Sequence, residues 1–427
     1  MPKSESLYTT ILLCVDNGSS HIKVIYDDLS QTFVFPNVVS QPVGERQLLM
    51  DQGNPLDFLD VQIVSPVLNS DPYRHVYVGN LAIGDEGVVH EIVGDKAAQK
   101  KAQRPETLVT LLTGAAYAVA KKHETEIRRG VRRIKAAVNL GTGLPISEIT
   151  KFRTEFADKL QGGVHTVTFV TTPSYKGVTV ELEIALPIDI SIDDVSGVYD
   201  IEATAKTPLS HKGFGIADVG GVDMDIAFFK LGLELDQRNS TGTKIHLNDA
   251  LESIRNEVNA TGEELISNTA ELTEMLVNKE YEVYAEGRVV FDMTNLVNRH
   301  MQILAEKVLK AARNAWKHAR YASEFWFIGG GAVVLEPWIE KLNAGLGLPI
   351  RFDATEYSQF RNVRGMFLLL HHALHNRDEV AATADIGASA KARAARADRD
   401  QTNRADRADQ ADRGQANNEA QGDPGVS

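Results

Sequence analysis

Ile11–Val15 is an unbroken apolar run, of the kind that fills a strand buried on both faces, and it stops at the turn-forming cluster Asp16-Asn-Gly-Ser-Ser20. His21–Tyr26 then places Ile22, Val24 and Tyr26 on one side and Lys23 on the other. The stretch therefore reads as a β-hairpin with Asp16–Ser20 at its tip. Phe33–Asn37 closes a further strand. From Val38 to Lys100 the chain is rich in Pro, Gly, Asp and Asn, with short strands such as Val61–Val64 and Val76–Val78, a pattern that predicts a small inserted subdomain. Pro105 opens a helix whose Leu108, Leu111, Leu112, Ala115, Ala116 and Val119 recur at helical spacing. Arg133–Asn139 reads as a strand, Phe152, Phe156 and Leu160 as the stripe of a helix, and Val164–Ile192 as two or three strands.

The second half repeats the opening theme. A short apolar run from Phe214 meets Asp218, then Gly220-Gly221, then a β-rich run through Ile226–Phe229. Residues 239–293 are charged, helical and weakly patterned, which predicts a second insert. Leu296, Val297, His300, Met301, Leu304, Val308, Ala311 and Ala315 mark a long helix against the core, and Phe325–Ile328 a strand running into Gly329-Gly-Gly331. Gln359-Phe-Arg-Asn362-Val-Arg-Gly365 opens a last helix. After Val380 the chain has no aromatic residue and almost no large aliphatic one. It cannot bury enough apolar surface to offset its ordering entropy, so 380–427 is expected to be a disordered tail.

Both hairpin tips carry phosphate chemistry. In the first, backbone N–H groups, the Ser19 and Ser20 hydroxyls and the Lys23 ammonium suit phosphate oxygens, Gly18 permits close approach, and Asp16 suits an oxygen-seeking Mg²⁺. An ordinary surface hairpin would have the same turn residues. The recurrence of the pattern about 200 residues later points instead to two similar half-molecules facing each other across a nucleotide, with Asp16 and Asp218 sharing one magnesium. Gly329–Gly331 would let a flat ring lie on bare backbone.

In this order the motifs resemble those of the actin-like ATPase superfamily. Asp16-x-Gly18-x4-Lys23 is similar to its first phosphate motif, and Asp218-x-Gly220-Gly221-x3-Asp225 to its second. Leu144-Pro145-Ile-Ser-Glu148 and the Gln359–Gly365 signature are similar to the ParM-like plasmid-segregation branch. The resemblance runs from about Leu7 to Arg377. It implies an α/β, actin-like (ribonuclease H-like) duplicated two-domain ATPase fold with the nucleotide in the interdomain cleft. Domain I would span 1–165 with its insert at about 38–100. Domain II would span 166–379, with an insert at about 239–293 and a last helix, about 362–376, packing back on domain I. It further implies ATP, with GTP as the alternative, and Mg²⁺ held by Asp16 and Asp218. The nucleotide would be bound by Asp16, Asn17, Gly18, Ser19, Ser20, Lys23, Asp218, Gly220, Gly221, Val222, Asp223 and Gly329–Gly331, the triple glycine lying against the adenosine. Glu148 and Asp218 would be the catalytic residues, Glu148 at a helix start where it could orient water, with Asp225 as second candidate. One departure stands out: Val222-Asp223 replaces the hydroxyl-bearing residues usual after the second glycine pair, placing a carboxylate where a phosphate would be repelled. The function implied is a filament that segregates a plasmid or similar replicon through a DNA-binding adaptor. A small-molecule kinase of the same superfamily is the alternative, and a chaperone-like ATPase a third reading.

Composition narrows this further. With 43% hydrophobic and 24% charged residues among 427, the chain can build two sizeable cores. Its net charge of −13 argues against an extensive DNA-binding face and agrees with contact through an adaptor, leaving only a local basic patch at Arg128–Arg133. One cysteine, Cys14, in the middle of the first strand, fits a buried thiol in a reducing cytoplasm. The apolar run at the N-terminus ends at Asp16 without a small-residue cleavage site, and no uninterrupted apolar segment is long enough to span a membrane.

Overall fold

A computed structural model describes residues 6–42, 53–68, 73–83, 88–91, 100–184, 189–192, 195–204, 208–260, 265–266, 268–352 and 358–375. The predicted tail, 380–427, lies outside the described residues. The first sheet contains β1 (Ser6–Asn17), β2 (His21–Tyr26), β3 (Asp28–Pro36), β4 (Val38–Gln41), β5 (Leu59–Val64), β6 (His75–Val78), β7 (Val88–Glu91), β8 (Arg133–Leu144), β9 (Val164–Phe169), β10 (Thr179–Ile184) and β11 (Asp189–Ile192). Their order is β3-β2-β1-β8-β10-β9-β5-β6-β4-β7, with β11 also paired to β8. β1 forms an antiparallel hairpin with β2 and runs parallel to β8, from Ser6 opposite Arg133 to Val15 opposite Thr142. The helices of this half are α1 (Asn80–Ile83), α2 (Pro105–Lys122), α3 (Glu124–Arg128) and α4 (Ile146–Gln161).

The second sheet repeats the plan. It is built from β12 (Gly213–Val219), β13 (Met224–Phe229), β14 (Thr241–Thr243), β17 (Ala322–Ile328) and β18 (Ile350–Phe352), in the order β14-β13-β12-β17-β18. The β12–β13 hairpin is antiparallel and β12–β17 parallel, as in β1–β2 and β1–β8. A separate hairpin is formed by β15 (Glu282–Ala285) and β16 (Arg288–Asp292). α5 (Gly197–Thr204) leads from the first sheet to the second, and α6 (Leu247–Asn259), α7 (Thr269–Asn278), α8 (Thr294–Trp316) and α9 (Gly330–Ala344) complete this half. Residues 1–370 form one compact unit; the second unit, His371–Ser427, is described only at 371–375, which are helical.

Two expectations need correction. β9, β10 and β11 all join the first sheet, so the first lobe reaches Ile192 and does not end at 165. The described strands of the segment around 38–100 extend the edge of the first sheet, β5 pairing antiparallel with the outer edge of β9 and carrying β6, β4 and β7 with it. Residues 239–293 are mostly built into the second lobe: β14 pairs with β13, and α6 buries Leu247, Ala250, Leu251, Ile254 and Val258 along one stripe. The β15–β16 hairpin forms its own two-stranded sheet, yet its Val283 is buried in the core of this lobe.

The cores explain the long helices. Every residue from Glu106 to Ala120 in α2 is buried, so each of its leucines contributes about 1.5–3 kcal/mol of burial. The buried Thr110 and Thr113 satisfy their hydroxyls on Glu106 O at 3.1 Å and Val109 O at 2.8 Å. The last helix, 361–370 within this unit, returns to the first sheet: a Cβ on Gly141 of β8 would lie 3.4 Å from Leu370 and only 2.5 Å from Sγ of the buried Cys14.

Candidate functional site

The tip of the first hairpin is held from behind. The Asn17 side chain, almost wholly buried, donates to Thr107 O at 2.9 Å and Thr110 Oγ1 at 3.3 Å on α2. It also accepts from Asn37 Nδ2 at 2.8 Å. Asn37 donates as well to Gly18 O at 2.7 Å. The side chain of Asn17 is thus scaffold, and only its backbone is left for a ligand. Gly18 is required by close approach, since a Cβ there would meet His21 O at 2.8 Å. Ser19 and Ser20 sit at the open end of the turn, Ser20 exposed. Asp16 is buried and its Oδ2 lies 3.0 Å from Lys23 Nζ.

Asp218 occupies the equivalent place on β12. It keeps some accessible surface, yet it is so enclosed by protein that burial pushes its pKa up to about 7. Nearby Asp16 and Asp225 add to the rise, while the Lys23 charge and a hydrogen bond from Asn362 oppose it. Two carboxylates and an ammonium from two separate sheets thus converge on one locus. In the turn beyond, Gly220 N donates to Asp223 O at 2.9 Å, and the carbonyls of Gly220 and Gly221 accept from Leu247 N and Asn248 N at 3.3 and 3.0 Å. The start of α6 therefore braces the second loop, with Val222 and Asp223 at its tip. Asp225, opposite Asp218 in the β12–β13 register, is buried and packs against Gly242.

The triple glycine borders the same locus. Gly329 has φ of 85° and a Cβ on it would lie 2.0 Å from Asp218 Oδ1, so glycine is needed both for the turn and for the approach of the carboxylate. A Cβ on Gly331 would strike Val219 O at 2.6 Å, whereas Gly330 faces open space.

Glu148 stands in the first turn of α4, nearly buried, and its carboxylate caps the short 3₁₀ turn Lys101–Gln103. Oε1 accepts from Lys101 N at 3.1 Å and Oε2 from Ala102 N at 3.2 Å. Across from it, burial raises the pKa of Asp223 and the charge of Glu148 adds to that, while Lys101 and His246 lower it. The carboxylate of the second loop is therefore met by a lysine from the first lobe, a partner that local pattern could not reveal. A cavity of about 560 Å³ adjoins this contact, lined by Ser147 and Thr150 of α4 and by Asp223, Asp225, Thr241 and Lys244 across from them; neither Asp16 nor Asp218 lines it.

The N-terminal domain family of actin-like proteins matches residues 14–186. The Alp7A C-terminal domain family matches residues 215–346, from β12 through α9. The chain belongs to the actin-like proteins. No curated protein matches this actin-like chain by sequence. Its fold is shared with Alp7A, at 18% identity over 89% of this chain and 100% of that one, with a TM-score of 0.67. It is also shared with Bacillus thuringiensis ParM with ATP, at 20% identity over 86% and 99% of the two chains and a TM-score of 0.65. A 15-stranded ParM filament from Clostridium botulinum gives 17% identity over 85% and 99%, with a TM-score of 0.65. Among the described residues, no helix of this actin-like chain is long and apolar enough to cross a membrane.

Proposed function

We propose that the protein is a cytoplasmic, nucleotide-dependent ATPase that assembles into filaments and segregates a plasmid or similar replicon through a DNA-binding adaptor. The observation that carries this reading is the meeting of Asp16 and Lys23 from one sheet with Asp218 from the other. Each lobe offers a phosphate loop, so a triphosphate held by both would draw the lobes together and alter the surfaces they present to a second copy. The solved relatives include ParM with ATP, ParM with ADP and a ParM filament, which supports the same direction. The acidic chain, with 58 Asp and Glu against 45 Lys and Arg, favours an adaptor over direct contact with DNA.

The donor set fits magnesium. Asp16 and Asp218 offer hard oxygen ligands, and a divalent cation would favour the ionised form of Asp218, which burial first and then the neighbouring Asp16 and Asp225 disfavour. The ion would be held by these two residues and would supply neutralisation of phosphate charge. The chain's own groups do the rest: Lys23 and the turn amides bind phosphate oxygens, and the bare backbone at Gly330 takes the nucleoside end. Lys101 and His246 offset the charge of Asp223, so that a carboxylate in the second loop need not expel a phosphate. We assign water positioning to Glu148, which shares the first turn of α4 with the cavity-lining Ser147 and lies near Asp223; Asp225, which lines the cavity itself, is the second candidate.

Purified full-length protein in Mg·ATP, Mg·GTP or Mg·ADP tests the proposal by sedimentation and phosphate release followed together. Assembly with a triphosphate, then phosphate release and disassembly, is expected. Turnover only in the presence of an acceptor, with no pelletable polymer in any nucleotide, would identify a kinase instead.

A further inference from the structure

Two stretches of chain carry the lobes across to one another, and they touch. α5 follows β11 of the first sheet, while the helix from 361 follows β18 of the second and reaches Gly141 of β8 through Leu370. Their contact is intimate: a Cβ on Gly365 would fall 1.8 Å from Ser196 O, and one on Gly197 would fall 3.0 Å from Arg361 Cβ. One turn into α5, buried Asp200 accepts from Arg361 Nη1 at 2.5 Å and from Arg364 Nε at 2.9 Å, which clamps the crossing.

Asn362 lies inside this crossing, 8% exposed, and its two polar atoms point in different directions. Nδ2 donates to Asp218 Oδ2 at 2.5 Å, and Oδ1 accepts from Gly197 N, the first residue of α5, at 3.0 Å. The Gly197 backbone N–H can only donate, so the amide oxygen must face it and the amide NH₂ must face Asp218. We propose that Asn362 is a positioning residue that ties the Asp218 carboxylate to the start of α5, so that movement at the second phosphate loop is passed to the crossing between the lobes. A ligand that draws on Asp218 leaves Asn362 two courses. It follows the carboxylate and carries the α5 terminus with it, or it releases one of its two bonds. Either course changes the hinge.

This inference rests on the nucleotide reading of Asp218, and two variants separate the two. Asn362→Leu has nearly the same shape and neither hydrogen bond. Asn362→Asp keeps an acceptor for Gly197 N but turns a carboxylate toward Asp218. Amide hydrogen exchange of nucleotide-free full-length protein should show the first turn of α5 exchanging about tenfold or more faster in Asn362→Leu, and close to wild type in Asn362→Asp. On adding Mg·ADP, wild-type α5 should gain protection, and both variants should bind yet fail to pass protection to α5. Unchanged α5 exchange in Asn362→Leu, or nucleotide-induced protection of Asn362→Asp equal to wild type, would overturn the tie. If Asn362→Leu does not fold, Asn362→Asp alone decides. Failure of the wild type to bind Mg·ADP would overturn the nucleotide reading and the coupling with it, and would be recognised apart from the nucleotide-free result.

Discussion

Glu148 and Lys101 are joined by a 3.1 Å hydrogen bond from the Lys101 backbone N–H to Oε1, while the other carboxylate oxygen holds Ala102 N at 3.2 Å. The residue proposed to place water is thus also the cap that fixes the loop bearing Lys101, which faces Asp223. Glu148→Gln keeps one acceptor and turns an amide donor toward an N–H, so it should cost about 1–2 kcal/mol of stability. Its phosphate release should fall about 10²-fold with nucleotide affinity little changed. Thermal unfolding and phosphate release on one preparation check this; lowered stability with undiminished turnover would leave Glu148 as a cap only.

Lys23 neutralises a buried carboxylate. Lys23→Met leaves Asp16 without that charge and should destabilise the nucleotide-free protein by about 1–3 kcal/mol, less than for a fully buried pair because Lys23 is partly exposed. It should also weaken Mg·ADP binding by about 10-fold or more. Denaturant unfolding and fluorescent-nucleotide titration give the two numbers.

His21, two residues from Lys23, has its pKa lowered to about 4 by burial and then by the lysine charge. Unfolded, it titrates near 6.5, so between these values the unfolded chain binds more protons and stability rises with pH. The contribution is complete above about 6.5 and lost as pH falls toward 4, up to about 3 kcal/mol. Urea midpoints across this window should fall more steeply for wild type than for His21→Gln; parallel curves would show that His21 is not held neutral.

Gly365 permits the helix crossing. Gly365→Ala puts a methyl 1.8 Å from Ser196 O, an overlap that the two packed helices can relieve only by moving apart. A loss of roughly 3 kcal/mol or more is expected, read as a lower thermal midpoint. Gly330→Ala, at an open position of α9, should be nearly neutral for stability.

The parts of the site legible in the sequence were those written in adjacent residues. Both hairpins could be read because an apolar run, an Asp-x-Gly tip and a second β-rich run are consecutive. What stayed hidden depends on partners far along the chain. Asn17 looked like a ligand-facing turn residue, but its partners Thr107, Thr110 and Asn37 lie on other elements. The boundary at 165 failed for a similar reason: alternation in Val164–Ile192 predicts strands without saying which sheet they join, and β9 is paired on one side by β5, about 100 residues earlier. Asn362 was visible as part of a motif, but its role depends on Asp218 and Gly197, each more than 140 residues away.

The central claim, one nucleotide gripped by a loop from each lobe, is tested most directly by equilibrium titration of Mg·ATP against wild type, Asp16→Ala and Asp218→Ala. The account predicts a single site in the wild type and a loss of Mg²⁺-dependent affinity of about 10-fold or more in each variant, whichever lobe carries the change. Mg²⁺-dependent binding that survives intact in either variant would contradict it.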